Sequence, residues 1–160
     1  MGAGSAKVTI DAATVIKPLE HLWASFGYDE LNWTATPRGR ANMSTLRTIF
    51  GEPAVVRAHN LLTSGNGRGS LHWSSGNVYH EDARGCPVYD WGQVDPVFDV
   101  WVDNDMVPLV ELGFCPIQLS RPSTMTLYEM PSSYGEYENL GWASPPKDMR
   151  RWENLVEAVV

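Results

Sequence analysis

Three short apolar runs, residues 22–27, 54–58 and 107–112, alternate along the chain with three segments of helical periodicity. That order restricts the fold more than any other feature. Met43, Leu46, Ile49 and Phe50 place one apolar face on a helix over 40–50, with Gly51 as its stop signal. Asp95-Pro96 reads as an N-cap with proline at the first helical position, followed by Val97, Val100 and Trp101 at helical spacing and an end near Asn104. Trp152, Leu155, Val156 and Val159 make the region 148–160 a third amphipathic helix. The run 107–112 is apolar except for Glu111, as suits a parallel strand covered on both faces. Strand-helix alternation of this kind predicts an α/β fold with a parallel sheet and crossover helices. Residues 7–10 alternate polar and apolar and are expected to form a leading edge strand closed off by Pro18.

With 160 residues, 43% of them apolar, the chain can bury a core of ordinary single-domain size. Twelve Lys and Arg against 19 Asp and Glu give a formal charge of −7, which opposes binding to nucleic acid or to anionic membranes. No apolar run approaches the ~18 residues needed to span a bilayer. The start of the sequence reads as neither a signal peptide nor a myristoylation site, which leaves the compartment, cytoplasmic or secreted, open. Asn32-Trp33-Thr34 and Asn42-Met43-Ser44 fit the glycosylation pattern, which has meaning only in a secreted eukaryotic protein. Cys86 and Cys115 lie in different expected loops; free thiols are the preferred reading over a disulfide.

The two long connections, residues 61–94 and 114–145, far exceed the ~2–6 residues an α/β turn needs. Both follow the C-terminal ends of expected strands, the edge at which ligands bind in parallel α/β folds. Ten aromatic residues, Tyr28, Trp33, Trp91 and Trp142 among them, fall in the three strand-to-helix connections. Flat apolar faces beside Asn, Asp, Glu and His side chains suit a sugar, with its C–H faces and hydroxyl edges. Packing of the loops onto the scaffold explains any single aromatic equally well.

Within this setting, the run 54–58 ends in His59 and Asn60, side chains able to donate and accept hydrogen bonds toward hydroxyl groups. A histidine satisfied by neighbouring backbone is the plainer alternative. Glu111 reads as a structural partner of Arg57 on the adjacent strand, which the cost of burying a lone carboxylate favours. Asp29 and Glu30 are adjacent, so their side chains diverge and they read as loop residues rather than a catalytic dyad.

Other chemistries lack their signatures. His21, His59, His72 and His80 form no His-Glu-x-x-His pattern, so no metal or other cofactor is expected. The stretch Gly65-Asn66-Gly67-Arg68-Gly69 lacks the Lys-Ser/Thr end of a phosphate-binding loop, and no Gly-x-Ser-x-Gly elbow occurs.

Six blocks carry a resemblance: Phe26-Gly27-Tyr28-Asp29-Glu30, Val56-Arg57-Ala58-His59-Asn60-Leu61-Leu62-Thr63, Val88-Tyr89-Asp90-Trp91, Val94-Asp95-Pro96-Val97-Phe98-Asp99, Pro108-Leu109-Val110-Glu111-Leu112-Gly113-Phe114-Cys115-Pro116 and Ser144-Pro145-Pro146-Lys147-Asp148-Met149. In order and spacing they resemble glycoside hydrolase family 39, the family of β-xylosidases and α-L-iduronidase. The resemblance implies the first three or so βα units of a (β/α)8 TIM barrel over residues 19–160. Residues 1–18 would then be a tail or a strand given to a flanking β-sandwich. It further implies a retaining glycosidase acting on xylose-containing or related saccharides, with His59, Asn60, Glu111, Phe114 and Trp142 on the sugar-binding side.

Family members use two glutamates, the acid/base lying in an Asn-Glu-Pro motif after the fourth barrel strand and the nucleophile after the seventh. No Asn-Glu dipeptide occurs in this sequence, so the chain alone is expected to be inactive. The expected partners are a saccharide and either the remaining part of the barrel or a second copy of the chain. The rival reading is a non-catalytic carbohydrate-binding or assembly half-barrel that oligomerises.

Overall fold

A computed structural model describes residues 5–18, 24–65, 74–121 and 144–160. Strand β1 (Ser25–Tyr28) leads through a short 3-10 helix (Leu31–Trp33) into helix α1 (Pro37–Phe50) and strand β2 (Val55–Ala58). A hairpin follows, β3 (Tyr79–Glu81) and β4 (Pro87–Tyr89), then helix α2 (Asp95–Asp103), strand β5 (Val107–Pro108) and helix α3 (Met149–Val159). β1, β2 and β5 form one parallel sheet in that order, with Ser25 opposite Val55 and Val55 opposite Val107. Each sheet strand is separated from the next by a helix, as the alternating pattern predicts.

Helix α1 begins three residues ahead of the expected 40–50 because its start signal lies upstream. Thr36 is extended, and its Oγ1 accepts the Gly39 N–H at 3.1 Å, while Pro37 takes the first helical position. A side chain on Gly39 would run into the carbonyl oxygens of Trp33 and Thr34, so glycine lets α1 start directly against the 3-10 helix. Gly51, at φ 69°, ends the helix in the left-handed region.

The sheet has one covered and one open face. Along β2, Val56 and Ala58 are buried while Val55 and Arg57 are exposed, the period-2 alternation of a strand packed on one side. Val56 meets Val97, Val100 and Trp101 of α2 and Met43 of α1 in a core that also takes in Leu31, Leu61, Leu62 and Leu155. Each fully buried Val or Leu contributes ~1.5–3 kcal/mol. The Tyr28 hydroxyl accepts from Trp101 Nε1 at 2.9 Å and lies 2.6 Å from Thr34 Oγ1, joining β1 to α2 and to the turn before α1. Burial pushes this phenol above its ordinary pKa.

Two expectations need correction. Residues 7–10 pair with no strand among the described residues, and Val8 and Ile10 stand exposed; an edge strand exists only beside a neighbour. The expected strand 107–112 is reduced to Val107–Pro108. Val107 and Leu109 donate to the carbonyls of Ala54, just before β2, and of Val56 within it, but Pro108 has no N–H to offer the outer edge, and no described strand lies there to extend the ladder. The long connection 61–94 contains the hairpin, with Tyr79 opposite Tyr89. Its turn is built on Asp82, whose Oδ1 accepts from the Arg84 and Cys86 N–H groups, and on Gly85 at φ 75°.

No helix among the described residues is long and apolar enough to cross a membrane.

Candidate functional site

The C-terminal ends of β1, β2 and the segment after β5 bring four charged or polar side chains together on the open side of the sheet. Arg57 and His59 are two residues apart, so they project to the same side of β2. The His59 N–H is fixed by the Tyr28 carbonyl at 3.1 Å. Gly27, opposite Arg57 in the register, has no side chain; a Cβ there would stand 3.4 Å from Arg57 Nε and 3.6 Å from Nη2. The guanidinium therefore lies across β1 directly over Gly27.

Around the imidazole the contacts are close. Arg57 Nη2 lies 2.8 Å from His59 Nε2, and Asp29 Oδ1 lies 3.4 Å from the same nitrogen. On the other side of the ring, Nδ1 is 3.0 Å from Glu111 Oε2, which is also 3.5 Å from Arg57 Nε. Glu111 thus has the Arg57 partner that its place in an apolar run demands. Its Oε2 is shielded from solvent yet receives no aligned hydrogen bond among the described residues, so the 3.0 Å approach to Nδ1 is an electrostatic contact rather than a linear bond. Asp29, read as a loop residue from sequence, belongs to the cluster. The signal that marks Arg57 and Asp29 is positional: Arg57 shares the face of His59, and Asp29 directly follows the strand that pairs with it.

Asn60 sits differently. At φ 68° and 1% exposed, it turns the chain away from β2. Its Oδ1 accepts from Thr63 Oγ1 at 3.1 Å, and its carbonyl accepts the N–H groups of Thr63 and Gly76. Nδ2 is buried without a hydrogen-bond partner among the described residues. The same Thr63 Oγ1 accepts the Phe114 N–H at 3.0 Å, and Leu62 N–H donates to the Gly113 carbonyl. Asn60 therefore builds the platform from which half-buried Phe114 is held, while His59 and Glu111 face the open side. Trp142 lies outside the described residues.

A separate cavity of about 400 Å³ opens between β1 and α1, lined by Phe26, Tyr28, Trp33, Met43 and Leu46 among others, and contains none of the His59 cluster. Cys86 is exposed, Cys115 is buried, and both are free thiols; burial pushes the Cys115 thiol up to about 11, which makes it a poor nucleophile. Among the described residues no group of three or more His, Cys, Asp or Glu is placed to hold a metal ion.

Comparison with known proteins gives this geometry a context. Residues 6–160 match the family described as Glycosyl hydrolases family 39. Over 108 residues the chain is 27% identical to a beta-xylosidase of Geobacillus stearothermophilus, a stretch covering 66% of this chain and 18% of that protein. The chain thus corresponds to a minor part of that relative's length. A match running over nearly the whole sequence, on a parallel α/β scaffold, identifies the chain as a member of glycosyl hydrolase family 39.

Proposed function

We propose that this chain supplies the sugar-binding side of a retaining glycoside hydrolase acting on xylose-containing or related saccharides, within the first βα units of a TIM barrel. The observation that carries the reading is the convergence of Asp29, Arg57, His59 and Glu111 at the C-terminal ends of three parallel strands. That edge is where such folds bind ligands. Two carboxylates, an imidazole and a guanidinium offer both acceptors and donors to sugar hydroxyls. Phe114 and Trp142 would supply apolar faces, and Asn60 shapes the loop behind them.

Retention requires two carboxyl groups about 5–5.5 Å apart, one a nucleophile and the other an acid and then a base. The family's Asn-Glu-Pro motif does not occur in this sequence. Both glutamates would come from further polypeptide, and this chain alone would bind without hydrolysing.

The test is a titration of the chain with xylose and xylobiose followed by amide NMR shifts, alongside an assay for nitrophenol release from p-nitrophenyl β-xyloside. The expected result is a saturable perturbation around residues 59 and 111, lost in His59→Ala, with no nitrophenol. Absence of any saturable perturbation would overturn the binding reading, and nitrophenol release by the chain alone would overturn the reading that both glutamates come from further polypeptide.

Exposed Val55, Val107 and Leu109 favour a second reading. Apolar residues on an open sheet are suited to an assembly half-barrel, closed by a second copy or by the rest of the barrel.

A further inference from the structure

Arginine carries only N–H donors, so an imidazole nitrogen that it meets at hydrogen-bond distance must be an acceptor. Arg57 Nη2 stands 2.8 Å from His59 Nε2. In the neutral ring the proton is then on Nδ1, the nitrogen 3.0 Å from the Glu111 carboxylate. The opposite tautomer would set N–H against N–H at the Arg57 end and a lone pair against carboxylate oxygen at the Glu111 end. Both contacts would be repulsive, and they are shorter than the one contact that would favour that tautomer, Asp29 Oδ1 at 3.4 Å from Nε2. A doubly protonated ring would suit Glu111 and Asp29 but would press two cationic donors together at 2.8 Å.

We propose that Arg57 is a positioning residue that holds His59 as the neutral Nδ1–H tautomer by capping Nε2 with its guanidinium. The ring is then held between strands: Nε2 is capped by Arg57, and the Nδ1 proton lies on the Glu111 side, where the carboxylate attracts it without a linear bond. The hydroxyl acceptor left beside the ring is the exposed carboxylate of Asp29. This last consequence rests on the sugar-binding reading; the tautomer does not.

The experiment is 15N NMR of the histidine-labelled full chain at about pH 8, above the ordinary histidine pKa of about 6.5, with the His59 signals identified by their loss in His59→Gln. The expected result is a protonated, pyrrole-like Nδ1 and an unprotonated, pyridine-like Nε2. In Glu111→Gln the Nδ1–H form should persist, because Arg57 still caps Nε2. In Arg57→Leu it should give way to Nε2–H, and Arg57→Lys should restore it in part. A protonated Nε2 in the unaltered chain overturns the proposal whatever the variants do. Reversion in Glu111→Gln would assign the control to Glu111 and overturn the role of Arg57. Saccharide binding is read from amide shifts in a separate titration, so its failure would leave the tautomer result standing.

Discussion

Gly76 has no room for a methyl group, because a Cβ would overlap the carbonyl oxygen of Leu61, and that carbonyl belongs to backbone with little freedom to move. Gly76→Ala is expected to cost ~1–3 kcal/mol, read as a lower urea midpoint. Asn60, whose carbonyl binds the Gly76 N–H, makes the complementary case. Its left-handed backbone should tolerate Asn60→Gly far better than Asn60→Val, since a β-branched residue is strained at positive φ; paired denaturation curves of the two variants check the order. At this scale the sequence is legible where side-chain alternation governs. Arg57 and His59 share a side because strand period directs them, and Glu111 stands against Arg57, the partner that a carboxylate in an apolar run requires. The burial of Asn60 is not readable in the same way, because the sign of φ at one residue leaves no periodic trace. Nothing local announces that Thr63, three positions on, takes its side-chain oxygen.

Helix α3 is held to the hairpin by one carboxylate. Glu81 accepts from Arg151 Nη1 at 2.8 Å, from Lys147 Nζ at 3.0 Å and from the Tyr79 hydroxyl at 3.1 Å. Burial acts to raise the Glu81 pKa, but hydrogen bonds from Lys147 and Tyr79 and the charges of Lys147 and Arg151 outweigh it, leaving the carboxyl below its ordinary 4.5. A depressed carboxyl stabilises the fold fully above its unfolded value and loses that contribution as pH falls through the folded one. Thermal melts should therefore show Glu81→Gln least stable relative to the parent near neutral pH, with the difference shrinking as pH drops below 4.5. The N-terminus of α3 is capped by Asp148, whose Oδ1 accepts from the Arg150 and Arg151 N–H groups, and Asp148→Ala should cost ~1 kcal/mol by urea titration. Elements of ten residues or so were readable from periodicity and caps. The hairpin escaped because strands of three residues carry too little alternation to register, although Asp82 and Gly85 mark its turn.

For the molecule as a whole, the open side of the sheet sets the behaviour. Val107 is 54% and Leu109 58% exposed, and Val55 on the neighbouring strand is 38% exposed. Apolar surface of this kind is what a covering partner buries, as the assembly reading proposed above requires. Sedimentation velocity should show association that rises with concentration and weakens in Leu109→Ser, and a concentration-independent monomer would show that the face needs no cover. The parallel order of the sheet was legible because each helix between strands imposes it. The length of the third strand was not, because apolar content says nothing of whether a neighbouring backbone is present. Pro108 has a meaning here that goes beyond a shortened strand. The N–H groups of Val107 and Leu109 point inward to β2, so the outer edge of β5 has a gap in its donor row at Pro108. An arbitrary strand gains by unbroken pairing and finds none here. Any strand laid on this edge would leave a carbonyl unpaired opposite Pro108, so the proline turns away indiscriminate sheet growth on the side that β2 does not cover.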